Sequence, residues 1–137
     1  MKQFLLFTSV LFLLYQQGSC VSESDKKIMQ EAHDACSEET QVDQATLSKA
    51  INDSIFINTQ KMRCYAKCLF VHFKIIDGKT GKLTIDKFKK SYPSSLVEPH
   101  MKAFNACNIY NFNANMCEHA WQLVTKCLVS QPTYHFI

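Results

Sequence analysis

Glycine and proline are scarce in this sequence, whose 137 residues contain three of each. Hairpins and β-sandwiches need these residues at their turns, so a sheet-rich fold is disfavoured. Neither sign of charge dominates, because 15 Lys and Arg are set against 12 Asp and Glu and the two signs are mixed along the chain. A nucleic-acid-binding surface needs a concentrated basic stripe, so no nucleic-acid partner is expected.

Long apolar runs are also missing after the first 20 residues. There, Lys2 precedes an apolar run over residues 4–15, and the small residues Gly18 and Cys20 follow it. This order is typical of a secretory signal peptide, and the apolar run would rise only about 18 Å as a helix, too little to cross a bilayer. We expect residues 1–20 to be removed and residues 21–137 to form one secreted, extracellular domain.

Removal of Cys20 would leave six cysteines, an even number that indicates a disulfide framework in a small exported chain. Cys64 and Cys68 lie one helical turn apart on the same face, which is poor geometry for a bond between them. Each is therefore expected to reach a different partner. Spacing alone leaves the other pairings open.

Apolar residues recur at intervals of three and four along most of the chain, which predicts helices. The six predicted helices cover residues 24–37, 42–53, 59–75, 84–92, 96–107 and 114–129. Ser22 or Ser24 is a candidate N-cap of the first helix, and Pro99 is expected in the first turn of the fifth. Apolar stripes are ordinarily core, although disulfides can also hold helices around a cavity. The sequence therefore predicts a compact all-α domain.

Two stretches of the sequence have features of metal sites, but neither is predicted to bind a metal. "DGKTGK" at residues 77–82 has the Asp and glycines of a calcium loop, but Lys79 and Gly81 stand where oxygen ligands are required, so we predict a turn. His72 follows Cys64 and Cys68 by one turn, as in some zinc sites, but thiolate zinc sites belong mostly to reducing compartments. No metal and no cofactor are expected.

A third string, "EAHDAC" at residues 31–36, has the His-Asp pair of secreted phospholipases A2. Met29 and Gln30 stand where that family has adjacent cysteines, so the enzyme interpretation is weak. No other grouping suggests a nucleophile with its base, and we expect no catalytic residue. Asn52 begins the glycosylation pattern "NDS", which makes it a candidate acceptor in an exported chain.

The order and spacing of the six cysteines resemble those of the insect pheromone- and general-odorant-binding proteins. The intervals between successive cysteines are 27, 3, 38, 9 and 9 residues. Three strings strengthen the resemblance: "HDAC", "CYAKCLFVHFKIID" and "KCLVSQPTYHFI". The last interval is commonly eight residues in that family, and the expected mature chain is slightly basic rather than acidic.

The resemblance implies six disulfide-stapled helices that enclose an apolar ligand cavity. It pairs Cys36 with Cys68, Cys64 with Cys117, and Cys107 with Cys127. It also implies a carrier that takes small odorants, pheromones or other lipid-like molecules through aqueous fluid to membrane chemoreceptors, as a monomer or a homodimer. The implied ligand contacts are Phe70, Phe73, Met101, Phe104, Val124, Leu128, Tyr134 and Phe136.

In some members of that family the C-terminal tail closes the cavity and responds to pH. The resemblance transfers this latch to His33, Tyr65 and the terminal carboxylate of Ile137. Three alternatives stay open beside the odorant carrier: a lipid carrier of the same fold in a non-olfactory tissue, a secreted helical signalling protein with a solid core, and a lipid-cleaving enzyme.

Overall fold

The computed structural model describes residues 22–106 and 115–128. These residues form six α-helices, which confirms the predicted fold class: α1 (Glu23–Thr40), α2 (Gln44–Asp53), α3 (Gln60–His72), α4 (Ile85–Ser91), α5 (Ser94–Ala106) and α6 (Met116–Gln122). Helix α6 continues directly into a π-helical segment, Leu123–Leu128. Within the described ranges, β pairing is limited to an isolated antiparallel bridge between Ile76 and Leu83.

Side-chain caps fix where the first three helices begin. Ser22 accepts a hydrogen bond from the Asp25 backbone N–H at 3.1 Å, which confirms it as the N-cap of α1. Asp43 caps α2, and Thr59 caps α3 by accepting from the Met62 N–H at 3.1 Å. Each cap satisfies one of the backbone donors that a helix leaves open in its first turn.

Several predicted helix ends are wrong by two or three residues, and two of them have a clear physical reason. Helix α5 begins at Ser94, so Pro99 lies inside the helix rather than in its first turn, where its missing N–H would have been harmless. Helix α3 ends at His72 rather than at residue 75, because Lys74 takes a left-handed backbone conformation with φ 59°. The Ile75 N–H then donates to the Phe70 carbonyl at 2.8 Å and closes the end of the helix.

Helix α3 is the centre of the domain and packs most extensively against α6 and α1. Two disulfides join the same helices: Cys36–Cys68 links α1 to α3 with Cα atoms 5.6 Å apart, and Cys64–Cys117 links α3 to α6 with Cα atoms 4.5 Å apart. Cys64 and Cys68 thus reach two different partners, as their shared face predicts.

The string "DGKTGK" forms a tight turn between α3 and α4, as predicted. The Asp77 carboxylate accepts hydrogen bonds from the backbone N–H groups of Lys79 and Thr80 at 2.9 and 2.8 Å. Gly81 has φ 70°, a conformation that glycine adopts without strain. The turn brings the chain back so that α4 begins beside the end of α3.

Candidate ligand-binding site

The predicted ligand contacts within the described ranges share one apolar core. They come from three parts of the fold: Phe70 and Phe73 from α3 and its end, Met101 and Phe104 from α5, and Val124 and Leu128 from the π-helical segment. Met101 is half-buried and the other five are buried. Tyr134 and Phe136 lie outside the described residues. Large apolar side chains from distant positions are thus brought together in the interior.

An aromatic cluster forms the α4–α5 side of this core. The Phe88 ring lies 4.8 Å from the Tyr92 ring, 6.2 Å from the His100 ring and 6.0 Å from the Phe104 ring, measured between centroids. Phe73 joins the cluster through Tyr92, also at 4.8 Å. These separations are typical of favourable aromatic contacts, so the cluster stabilises the junction of α3, α4 and α5.

Sequence reasoning singled out Phe73 and Phe104 but missed Phe88, Tyr92 and His100. The signal was present: Phe88 and Tyr92 are four residues apart, as are His100 and Phe104, so each pair lies along one helical face. The sequence does not show that α4 crosses α5, and this crossing packs the two pairs against each other.

The aromatic cluster contains one polar pair. The hydroxyl of Tyr92 and Nε2 of His100 are hydrogen-bonded at 3.1 Å, and both side chains are buried. Burial raises the pKa of the Tyr92 phenol, so this hydroxyl stays protonated at physiological pH. An otherwise apolar wall therefore holds a buried hydrogen-bonding pair.

A second polar pair joins α1 to α3. Nδ1 of His33 and the hydroxyl of Tyr65 are hydrogen-bonded at 2.8 Å, and their rings meet edge to face at 6.0 Å. Tyr65 is fully buried, and burial, aided by the nearby Asp34 carboxylate, raises the pKa of its phenol. Two of the three predicted latch residues are thus in direct contact, while Ile137 lies outside the described residues.

The disulfides hold these elements in place. The predicted pairs Cys36–Cys68 and Cys64–Cys117 are confirmed. Cys127 is also disulfide-bonded, whereas Cys107, the partner that the resemblance gives it, lies outside the described residues. Since Cys64 and Cys68 are both oxidised, neither offers the thiolate that a zinc site with His72 would require.

Asn52, the candidate glycosylation acceptor, is exposed near the end of α2. Its side-chain amide donates to the Ser48 hydroxyl at 3.1 Å. The position is accessible, and glycosylation there stays a prediction.

None of the helices within residues 22–106 and 115–128 is long and apolar enough to span a membrane. In the same ranges, the elements that carry the candidate contacts share one aromatic and aliphatic core, and disulfides tie α3 to α1 and to α6. Such an interior suits the recognition of small apolar molecules, because aromatic and methionine side chains supply large contact areas without demanding hydrogen bonds.

In a comparison with protein families, the model of the PBP/GOBP family matches residues 19–131. The match spans most of the sequence and includes all six cysteines of the framework. The all-α fold and the two stapling disulfides agree with it. On this evidence the chain belongs to the PBP/GOBP family, the small odorant- and pheromone-binding carrier proteins of insects.

Proposed function

We propose that residues 21–137 act as a secreted, non-catalytic carrier that takes small hydrophobic molecules through aqueous fluid to membrane chemoreceptors. The observation that carries the proposal is the family match over residues 19–131. The ligands are odorants, pheromones or other lipid-like molecules.

The proposed ligand site lies where α3, α5 and the π-helical segment converge. Phe70, Phe104 and Val124 form its apolar wall, and Met101, which is half-buried, adapts to the shape of the ligand. The aromatic cluster extends this wall with Phe88 and Tyr92. Cross-linked helices resist collapse onto an internal space, which supports a cavity in so small a domain.

Release is proposed to depend on pH through the latch of His33, Tyr65 and the Ile137 carboxylate. The 2.8 Å hydrogen bond between His33 and Tyr65 supports this proposal, because it joins two of the three groups. Carboxylates and imidazoles take up protons between about pH 4 and pH 7, so acidification changes the charges that such a latch would use.

The carrier proposal is tested by titrating residues 21–137 with N-phenyl-1-naphthylamine, a dye whose fluorescence rises in apolar surroundings. A carrier gives a saturable rise at about one dye per chain, reversed by added apolar ligands. A dye that finds no saturable site would overturn the proposal and favour the signalling protein with a solid core.

A matched pair of variants on α5 locates the site. Met101→Trp places a larger ring at the half-buried position and is expected to weaken dye binding about tenfold. Lys102→Gln changes the exposed neighbour on the same helix and is expected to leave binding unchanged. Equal affinities of the two variants would place the dye elsewhere. Expression of the gene in olfactory or other tissue distinguishes an odorant carrier from a lipid carrier of the same fold.

A further inference from the structure

The charges of this chain separate into an acidic part and a basic part. Residues 74–90 contain six lysines and two aspartates, whereas residues 22–56 contain three lysines and eight Asp and Glu. The signs that look mixed over the whole sequence are therefore concentrated in different parts of the fold. A concentrated charge of one sign attracts partners of the opposite sign and orients them as they approach.

Three of the six lysines line one surface groove, which we name the lysine groove. Lys74 follows the end of α3, and Lys87 and Lys90 lie one turn apart on α4. The groove has a volume of about 360 Å³, and Val71 and Ile76 contribute apolar surface to it. Lys79, Lys82 and Lys89 extend the positive charge of the segment beyond the groove.

Three lysines and a single carboxylate, that of Asp77, line the groove. All six lysines are exposed, and none forms an ion pair with another of the described residues. Asp77 also lines the groove, but its carboxylate accepts hydrogen bonds from the backbone N–H groups of Lys79 and Thr80 within its own turn. The groove therefore presents a net positive charge to solvent.

Lys74 is held at the groove in a backbone conformation that usually belongs to glycine. Its φ of 59° is left-handed, and helices that end this way commonly carry glycine at that position. The Thr84 hydroxyl donates a hydrogen bond to the Lys74 carbonyl, which ties the residue to the start of α4. Gln41 and Ser54 take the same conformation at the ends of α1 and α2, so at Lys74 it marks the end of a helix and fixes where the lysine lies.

We propose that the lysine groove docks an acidic segment of a protein partner, a short stretch rich in Asp and Glu. Lysine is a flexible, strongly hydrated point charge, and three of them in one groove, with three more exposed in the same segment, suit a partner with several charges better than one small anion. A flat bilayer fits a concave groove poorly. Surface-binding helices also insert apolar side chains, and the exposed large apolar residues of the described ranges, Ile28, Ile51 and Ile55, lie outside residues 74–90.

The test uses a fluorescein-labelled hexaglutamate peptide and residues 21–137, with fluorescence anisotropy as the readout. The groove variant combines Lys74→Gln, Lys87→Gln and Lys90→Gln. The control variant combines Lys61→Gln, Lys102→Gln and Lys126→Gln, three exposed lysines elsewhere, and so loses the same net charge. We expect saturable binding that weakens with added salt, about tenfold weaker binding by the groove variant and less than about twofold by the control.

Three results would overturn the proposal. The peptide could fail to bind the unaltered chain, or both variants could lose affinity equally, which would show a response to net charge alone. The third result is evidence of a different ligand. Inorganic phosphate could displace the peptide at the peptide's own concentration, or phosphatidylglycerol vesicles could bind through the groove while the peptide does not. Thermal unfolding of the groove variant, followed by circular dichroism, checks its fold. Since neither this check nor the docking proposal depends on the carrier function, the two proposals can fail separately.

Discussion

At the scale of single residues, the hydrogen bond between His33 and Tyr65 gives the sharpest test of the latch. Tyr65→Phe removes the hydroxyl that lies 2.8 Å from His33 Nδ1. We expect the free energy of unfolding to fall by about 1 kcal/mol. Dye binding at pH 7 should weaken, so that the affinities for the dye at pH 7 and pH 5 differ less than in the unaltered protein. Dye titrations of both forms at the two pH values measure this.

Tyr92→Phe is the matched control for that variant. It also removes a buried phenol, whose hydroxyl lies 3.1 Å from His100, but it leaves the His33–Tyr65 pair intact. We expect Tyr92→Phe to be less stable but to show the same change in dye affinity between pH 7 and pH 5 as the unaltered protein. If Tyr65→Phe behaves in the same way, the latch is wrong and Tyr65 is a core residue only.

His119 makes stability depend on pH. It is buried, and burial lowers the pKa of its imidazole. Well above pH 6.5 the imidazole is neutral in both the folded and the unfolded chain, so it contributes little pH dependence there. Below that pH the unfolded chain takes up the proton more readily, so the free energy of unfolding decreases as the pH falls.

The comparison of His119→Gln with His72→Gln checks this prediction by thermal unfolding between pH 7.5 and pH 5. Glutamine does not titrate, so His119→Gln should have a flatter dependence of Tm on pH, even if it is less stable throughout. His72 is exposed, and its substitution should leave the dependence unchanged. The same slope in all three proteins would contradict the assignment to His119.

Individual residues show where sequence patterns succeed and fail. In α1 the residues that recur at intervals of three and four are Ile28, Met29, Ala32, Ala35 and Cys36, and of these Met29, Ala32 and Cys36 are buried. Ala35 is exposed and Ile28 is 37% exposed, whereas Asp25 is buried on the Met29 face. Periodicity fixes the direction of a face, but the neighbours that pack against its margins decide which flanking residue is covered.

At the scale of elements, the start of α3 matters because this helix carries both disulfides in the described ranges. Thr59→Ala removes the hydroxyl that accepts from the Met62 N–H and should decrease the free energy of unfolding by about 1 kcal/mol, measured by urea denaturation. Thr59→Ser keeps the acceptor and should retain most of the stability. Equal losses in the two variants would assign the effect to the methyl group of threonine rather than to the cap.

The elements themselves were largely predictable, and their ends were less so. Apolar spacing predicted all six helices, and a capping residue supported the first, because both signals are local. The π-helical segment was predicted as ordinary α-helix, since the stripe of Ala120, Trp121, Val124 and Leu128 fits either form. The start of α5 was misplaced because Pro99 was assigned to the first turn, where proline is best tolerated.

At the scale of the whole molecule, the disulfides tie α3 to helices on two sides. Replacing both Cys36 and Cys68 by serine should lower the free energy of unfolding by about 3 kcal/mol, because the unfolded chain gains the entropy of an open loop of 32 residues. Replacing Cys64 and Cys117 opens a loop of 53 residues and should lower it by at least as much. Urea unfolding measures both, and a loss below about 1 kcal/mol in either variant would contradict this account.

Cysteine spacing predicted those two pairs through the family resemblance, which no argument from helix geometry alone could do. The site is predictable to a lesser degree. Its apolar residues were identifiable one by one, but the assembly of Phe88 and Tyr92 with His100 depends on how α4 crosses α5. The lysine groove was missed for the same reason, because Lys74 and Lys90 become neighbours only when the turn after α3 folds back.

Because Lys74 has a left-handed backbone, stability and docking should favour different residues at this position. Glycine would relieve a strain of about 1 kcal/mol there while removing one positive charge. A library randomised at this position and selected for resistance to heat should therefore be enriched in glycine. The same library selected for capture by immobilised hexaglutamate should be depleted of it, so enrichment of glycine in both selections would argue against a docking role for this lysine.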